Sequence, residues 1–288
     1  MKTQFIENTI YALSKKLGFF FMSILFTALL SCSNDDAEPD LTVEEKETAQ
    51  FELVEDYYFD DAEDVAMEAF AGEQESGGKL STDSRLAGAS LLRTESFGSG
   101  TLRIDFDGTS ADDRGNVRQG SIIIKHVGRW DQTGAEWTIQ YIDYFINGIK
   151  VEGTRHGTVT AVTATTITHD VMLLSGKIIW PDGRSATREF HHRREYHRNS
   201  NHLLDRLIIY GNAQGMCRNG RGFIIEILEP LVFDRGCADE GVYIAVEGKK
   251  LIKHGNRELT IDYGNGSCDN VVTLTNKAGL STRYEVKK

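Results

Sequence analysis

The sequence predicts an all-β protein, an antiparallel meander forming a sandwich or an open, curled sheet, preceded by an acidic N-terminal helix. Three observations lead there. From residue 91 onward, stretches rich in β-branched and aromatic residues alternate apolar and polar positions with a period of two, as half-buried strands do. Turn signals separate these stretches, and the chain has 28 glycines but only 3 prolines, which suits tight hairpins. The third observation is charge. Residues 35–75 hold 17 acidic residues against the single Lys46, whereas the chain from residue 76 on is slightly cationic, so the net charge of -11 hides two unlike parts.

At the N-terminus, Lys15 and Lys16 precede residues 17–30, a run of 14 residues without charge. A membrane-spanning helix needs about 20 apolar residues, so this run has the length of a signal-peptide hydrophobic region. Leu29-Leu30-Ser31-Cys32 then resembles the lipobox of bacterial lipoproteins. That resemblance implies that Cys32 carries a diacylglyceryl group, that residues 1–31 are cleaved off as a signal peptide, and that the new amino terminus is acylated with a palmitate-type chain. Each buried methylene contributes about 0.8 kcal/mol, so several acyl chains on one residue anchor stably where a single chain is marginal. Ser33-Asn34-Asp35-Asp36 resembles the Ser-plus-acidic stretch that directs lipoproteins of Bacteroidota to the outer face of the outer membrane.

Residues 32–41 read as an acidic tether. Thr42, with Glu45 three residues on, makes a capping box, and Phe51, Val54, Tyr58, Ala62, Val65 and Ala69 follow at 3- and 4-residue steps, which predicts an amphipathic helix over 42–71 with a break near Asp60-Asp61. Its acidic side chains repel one another at helical spacing, so the helix gains from an apolar or cationic surface to lie on. The plainest reading makes it a solvated spacer; another folds it back onto the basic part of the chain. Residues 72–87, with Gly77-Gly78, read as a flexible linker.

Residues 102–106, 121–127, 137–141, 171–180, 207–209, 223–228, 242–246, 259–263 and 271–275 read as strands. Turn signals stand at Asn147-Gly148, Pro181-Asp182-Gly183, Glu247-Gly248, Gly255-Asn256 and residues 276–279. The pattern fits one all-β domain of roughly 12 to 14 antiparallel strands over 88–288. Residues 102–108 and 259–265 share a leucine, an isoleucine, an aspartate and an aromatic at equal offsets, a short echo that suggests two related sheet units.

The passages Phe145-Ile146-Asn147-Gly148-Ile149-Lys150-Val151-Glu152-Gly153-Thr154, Glu229-Pro230-Leu231-Val232 and Ile261-Asp262-Tyr263-Gly264-Asn265-Gly266-Ser267-Cys268-Asp269-Asn270 resemble uncharacterised β-rich surface lipoproteins of the Bacteroidota outer membrane. The resemblance covers about residues 90–288 and implies an envelope location and a β fold, with no activity to carry over. With Cys32 given to lipid, Cys217, Cys237 and Cys268 remain in a compartment where disulfides persist, so one pair can form. Cys237 with Cys268 is the expected pair, because Cys268 belongs to the family-like motif and Cys237 opens the region before it; Cys217 with Cys237 is the alternative.

Candidate chemistry is sparse. Arg188, His192, Arg193, Arg194, His197 and Arg198 form a patch for an anionic ligand such as glycan or lipid phosphate, recognised by arginine's planar fork. The alternative is a solvated hairpin that keeps a sheet edge from pairing. No His-Glu-x-x-His spacing is present, strand alternation splits His191 from His192, and the neighbouring arginines repel a cation, so metal is not favoured in this patch. Asp105, Asp107, Asp112 and Asp113 offer oxygen ligands for calcium, yet the loop lacks the EF-hand glycine and glutamate, and hairpin turns use the same residues. Trp130, Trp137 and Trp180 with Tyr141 and Tyr144 make either an aromatic platform for sugars or core. Nucleophile-elbow, phosphate-loop and dinucleotide motifs are missing, and Glu226 and Glu229 need geometry before they count as a catalytic pair.

The sequence therefore predicts a lipid-anchored outer-membrane protein facing the cell surface, with a binding or structural role, a glycan or other envelope component as ligand, no nucleic-acid partner, and no cofactor beyond the lipid on Cys32 and the candidate calcium. The competing class is a polysaccharide hydrolase whose site comes from scattered strand residues. A concave cleft with two close carboxylates favours the enzyme; a flat aromatic or arginine-rich face favours binding.

Overall fold

In a computed structural model, residues 40–76, 84–96 and 98–286 are described. The chain folds into a long helix, α1 (Val43–Ser76), and thirteen strands. The first seven are β1 (Ala89–Ser96), β2 (Ser99–Ala111), β3 (Val117–Val127), β4 (Glu136–Ile146), β5 (Ile149–Val162), β6 (Thr166–Ile179) and β7 (Ser185–His197). Then come β8 (Arg206–Met216), β9 (Gly222–Asp234), a short helix α2 (Arg235–Asp239), β10 (Glu247–His254), β11 (Arg257–Asn265), β12 (Val271–Asn276) and β13 (Ser281–Glu285). Every strand pairs antiparallel with its neighbour in sequence, so the sheet is one open meander with β1 and β13 as its edges. Of the two expected arrangements it is the single curled sheet and not the sandwich. The expected signal peptide, Cys32 and the expected tether up to residue 39 lie outside the described residues, as do residues 77–83 of the expected linker.

The turns are set by local chemistry. Asn147 at φ +52° and Gly148 at +78° close the β4–β5 hairpin with the two left-handed residues that a primed turn requires. The expected turn at Glu247-Gly248 is instead a β-bulge inside β10, where Gly248 sits at φ +104° and a Cβ would overlap the Pro230 carbonyl. Residues 242–246 are not a strand: they form the loop after α2, and Val242 and Val246 bury with Cys237 in a small separate cluster, which explains their apolarity without a ladder. Asp234 caps α2 by accepting from the Gly236 and Cys237 amides. The disulfide joins Cys237 to Cys268, as expected, and Cys217 is free and buried.

The capping box at the start of α1 is made: Glu45 N–H donates to Thr42 Oγ1 at 3.2 Å, and Thr42 N–H donates to Glu45 Oε2 at 2.8 Å. The helix then runs unbroken for 34 residues, past Asp60-Asp61 and beyond residue 71. Leu53, Phe59, Ala62, Val65, Ala66, Ala69 and Phe70 are buried in one continuous core with the inward residues of the sheet. Strands from both ends of the sheet, β2 to β5 and β11 to β12, lie against α1, so the meander wraps around it. The two stretches that echo one another lie on the inward face: Leu102, Ile104 and Phe106 of β2, and Leu259, Ile261 and Tyr263 of β11, all point into the core.

Candidate functional site: the charged seam between helix and sheet

An acidic helix cannot be buried in an apolar barrel of side chains, because an ionised carboxylate taken from water without a partner costs several kcal/mol. The sheet supplies the partners. Arg118 on β3, Arg155 on β5, Arg188 and Arg194 on β7 and Lys250 on β10 occupy inward positions of otherwise apolar alternation, and all five are at most 4% exposed.

Each meets carboxylates of α1. Arg188 Nη2 lies 2.5 Å from Glu52 Oε2 and the same guanidinium binds Asp56, while Lys250 Nζ donates to Glu52 Oε1 at 2.8 Å and also to Asp56. Two helical turns beyond Asp56, Arg194 Nη1 sits 2.9 Å from Glu63 Oε2, and Arg155 donates to the same oxygen and to the Phe59 carbonyl. Arg118 bridges Asp61 of the helix, at 2.7 Å, and Asp112 at the end of β2, at 2.7 Å. At the two ends of α1, Glu44 binds Arg221 and Arg257, and Glu73 pairs with Arg93 at 2.5 Å. Asp60 accepts from Arg194 at 3.3 Å. The paired carboxylates at Asp60 and Asp61 thus lose the repulsion that would have broken the helix there.

The seam shifts protonation. Glu55 is 3.6 Å from Arg188 Nη2; burial pushes its pKa up to about 8, against the opposing pull of Arg188. Burial opposes ionisation of Asp56 too, but Lys250 and Arg188 outweigh it and hold that carboxyl below its ordinary range. His169 accepts from Trp137 Nε1 at 3.3 Å, and burial, reinforced by Arg194, pushes its pKa down to about 4. Burial likewise drives His192 well below the usual histidine value, so both imidazoles are neutral at pH 7. A cavity of about 40 Å³ opens beside Asp56, Asp60, Arg188 and His192 against Phe190 and Tyr263, large enough for ordered water. The close carboxylates of this seam are consumed by cations, so its chemistry is that of a lock between helix and sheet.

The expected anionic-ligand patch is divided by strand alternation. Arg188, His192 and Arg194 point into the seam, where the acidic helix takes the place of an external anion. Arg193 points outward, 3.3 Å from Glu195 and 4.0 Å over the Tyr210 ring; His197 reaches Glu195 at 3.2 Å; and Arg198 follows β7 over the Trp130 ring. The six residues do not form one surface. The four aspartates are equally dispersed. Asp105 binds Arg103 and Ser121, Asp107 accepts from the Thr109 and Ser110 amides, Asp112 holds Arg118, and Asp113 is exposed. Trp137, Trp180, Tyr141 and Tyr144 are buried as core, and Trp130 packs partly against it. Glu226 and Glu229 are exposed on β9 with lysine partners, Lys253 and Lys249.

Sequence reasoning missed Arg118, Arg155 and Lys250. The signal was a cation at an inward position of each alternating strand, as in Arg118-Gln119-Gly120-Ser121-Ile122, which makes sense only if an anion is buried opposite. No protein-family profile matches the chain, and no curated protein or solved structure is similar to it.

Proposed function

We propose that the protein is a lipid-anchored module of the bacterial cell envelope, held through acylated Cys32 in the outer membrane with its β domain facing the cell surface, where it binds or scaffolds an envelope component such as a glycan. The observation that carries this reading is the Cys237–Cys268 disulfide in a chain that begins with a signal-like segment, since such bonds persist in exported proteins and are rare in the cytosol. No helix among the described residues is long and apolar enough to cross a membrane. The resemblance of residues 90–288 to β-rich lipoproteins of Bacteroidota supports the same reading.

Ligand recognition falls to the outer face of the sheet, because the inward cations are already occupied by α1. Along β5 to β7 that face presents Thr154, His156, Thr158, Asp170, His191 and Arg193 around the exposed Met172 and Leu174, a mixed surface whose hydrogen-bonding groups suit hydroxyl-rich ligands. Mass spectrometry of the native amino terminus tests the anchor: acyl chains on Cys32, lost in Cys32→Ala, are expected, and an unmodified leader on protein found in the cytosol overturns it. A glycan array tests the ligand and must use a chain that keeps α1; a domain cut after residue 84 lacks its own core.

A further inference from the structure

The edges β1 and β13 are not paired, yet the two ends of the sheet meet across α1. Arg114, at the tip of the β2–β3 hairpin, lies 3.7 Å from the ring centroid of Tyr243, which stands in the loop between α2 and β10. The same guanidinium is 3.8 Å from Asp61 of the helix, and Asn116 beside it donates to Tyr57 Oη at 2.7 Å. Hairpin tip, helix and loop thus form a clasp near the middle of α1, where no ladder joins the strands.

The loop that carries Tyr243 is fixed through a disulfide. Val242 and Val246 pack on Cys237 and not on the main core, and the Val242 amide donates to the Cys237 carbonyl at 2.9 Å. Cys237 is bonded in turn to Cys268, in the loop after β11. Access to the two cysteines differs: Cys237 is 2% exposed, whereas Cys268 lies in the exposed run 267–269. The helix α2 that bears Cys237 has five residues, too few to hold its shape without tertiary support.

We propose that Cys237–Cys268 is a thiol–disulfide exchange site for a dithiol reductant, and that its reduction opens the clasp over α1. Exposed disulfides are the labile ones, and the accessible sulfur takes the attack. One thiolate of the reductant attacks Cys268 Sγ and forms a mixed disulfide there; the bond to Cys237 breaks, and Cys237 leaves as a thiolate that takes up a proton. The second thiol of the reductant, deprotonated, attacks the reductant's own sulfur in the mixed disulfide and releases Cys268, which is protonated in turn. The reductant ends as a disulfide and the protein has gained two electrons and two protons. Without the bond, α2 loses its tie to the loop after β11, the small cluster around Cys237 loosens, and Tyr243 leaves Arg114. Tyr57 and Asp61 then lose the cover that the clasp gives them.

The test uses the chain from residue 32 onward carrying Cys32→Ala, without denaturant. Glutathione, a monothiol that cannot complete the second step, should be trapped by acid quenching as an adduct on Cys268, at least tenfold over Cys237 by peptide mass. Full reduction with dithiothreitol should then speed amide hydrogen exchange at least tenfold in residues 57–61 and 112–116 and leave β5 to β7 unchanged. Arg114→Ala, with the disulfide intact, should reproduce the faster exchange at 57–61. No reduction of the folded protein, adducts on Cys237, exchange unchanged at both segments or raised equally over the whole sheet, or an Arg114→Ala protein that exchanges like the parent overturns the proposal.

Discussion

Strand β7 carries arginines on both of its faces, and the two faces use them in opposite ways. Arg193 lies outside, half in water, beside Glu195; Arg194, the next residue, and Arg188, five residues earlier, lie on the inside, almost completely dehydrated, each gripping more than one carboxylate of α1. Side-chain type is the same, and strand and backbone are the same. The difference is solvent. Outside, water screens the pair and its strength is on the order of 0.2–1 kcal/mol. Inside, the desolvation of each charge is so costly that the partner becomes obligatory, and removing one partner costs about 3–5 kcal/mol. What the inner pairs provide is specificity: only an acidic helix, in one register, satisfies five buried cations spread over β3, β5, β7 and β10.

The comparison breaks most completely if the helix is removed. Deleting residues 40–76 strips the core of Leu53, Phe59, Val65 and Phe70 and strands Arg118, Arg155, Arg188, Arg194 and Lys250, so loss of cooperative unfolding and of dispersed amide resonances is expected. A sheet that keeps a sharp thermal transition without the helix would refute the view of α1 as core. Next in size is Glu63→Ala, which leaves both Arg155 and Arg194 short of a counter-charge; denaturant titration should show a loss of about 3–5 kcal/mol.

Glu55 should respond with the reverse sign. Its folded value near 8 lies above the ordinary 4.5, so between those limits the unfolded chain releases a proton that the folded chain retains, and stability falls as pH rises. His169 has its folded value near 4 below an ordinary 6.5, so it costs stability as pH drops through that interval. The two effects oppose each other at mildly acid pH, and the range from 6.5 to 8 isolates Glu55. Glu55→Gln should therefore stabilise the protein at pH 8, on the order of 1–3 kcal/mol, and flatten the decline in melting temperature across that range. Smallest of all, Arg193→Ala on the outer face should change stability by less than about 1 kcal/mol, and a larger loss would mean that the outer pairs are not screened as water requires.

The inner–outer contrast also marks how far the amino-acid sequence can be read. Alternation of period two identifies β2, β3, β4, β6, β8, β9, β11 and β12, because most of their inward residues are apolar, although outward hydrophobics such as Ile224 and Leu228 on β9 blur the pattern. Local chemistry equally reveals the Asn147-Gly148 turn, the Thr42/Glu45 box and, through the cysteine count and motif, the Cys237–Cys268 bond. It fails at β7, where Arg188 and Arg194 take core positions and look like a surface patch until their counter-charges, more than 130 residues earlier, are in place. The helix is misread as a spacer for the same reason: acidity signals solvent exposure unless a basic cavity exists to receive it. Val242 and Val246 mislead differently, since burial under a loop produces the same apolar run as burial in a ladder.

The order of the segments along the chain has a consequence for assembly. Ribosomes deliver the amino end first, so the filling of this molecule is made before its walls, and each hairpin that follows can close against a helix already present. Neighbouring strands add in sequence with short loops, which keeps most pairings local and quick to find. A chain in which the same helix came last would have to hold an open, positively lined trough until its filling arrived, exposed to nucleic acids and to any other polyanion in reach.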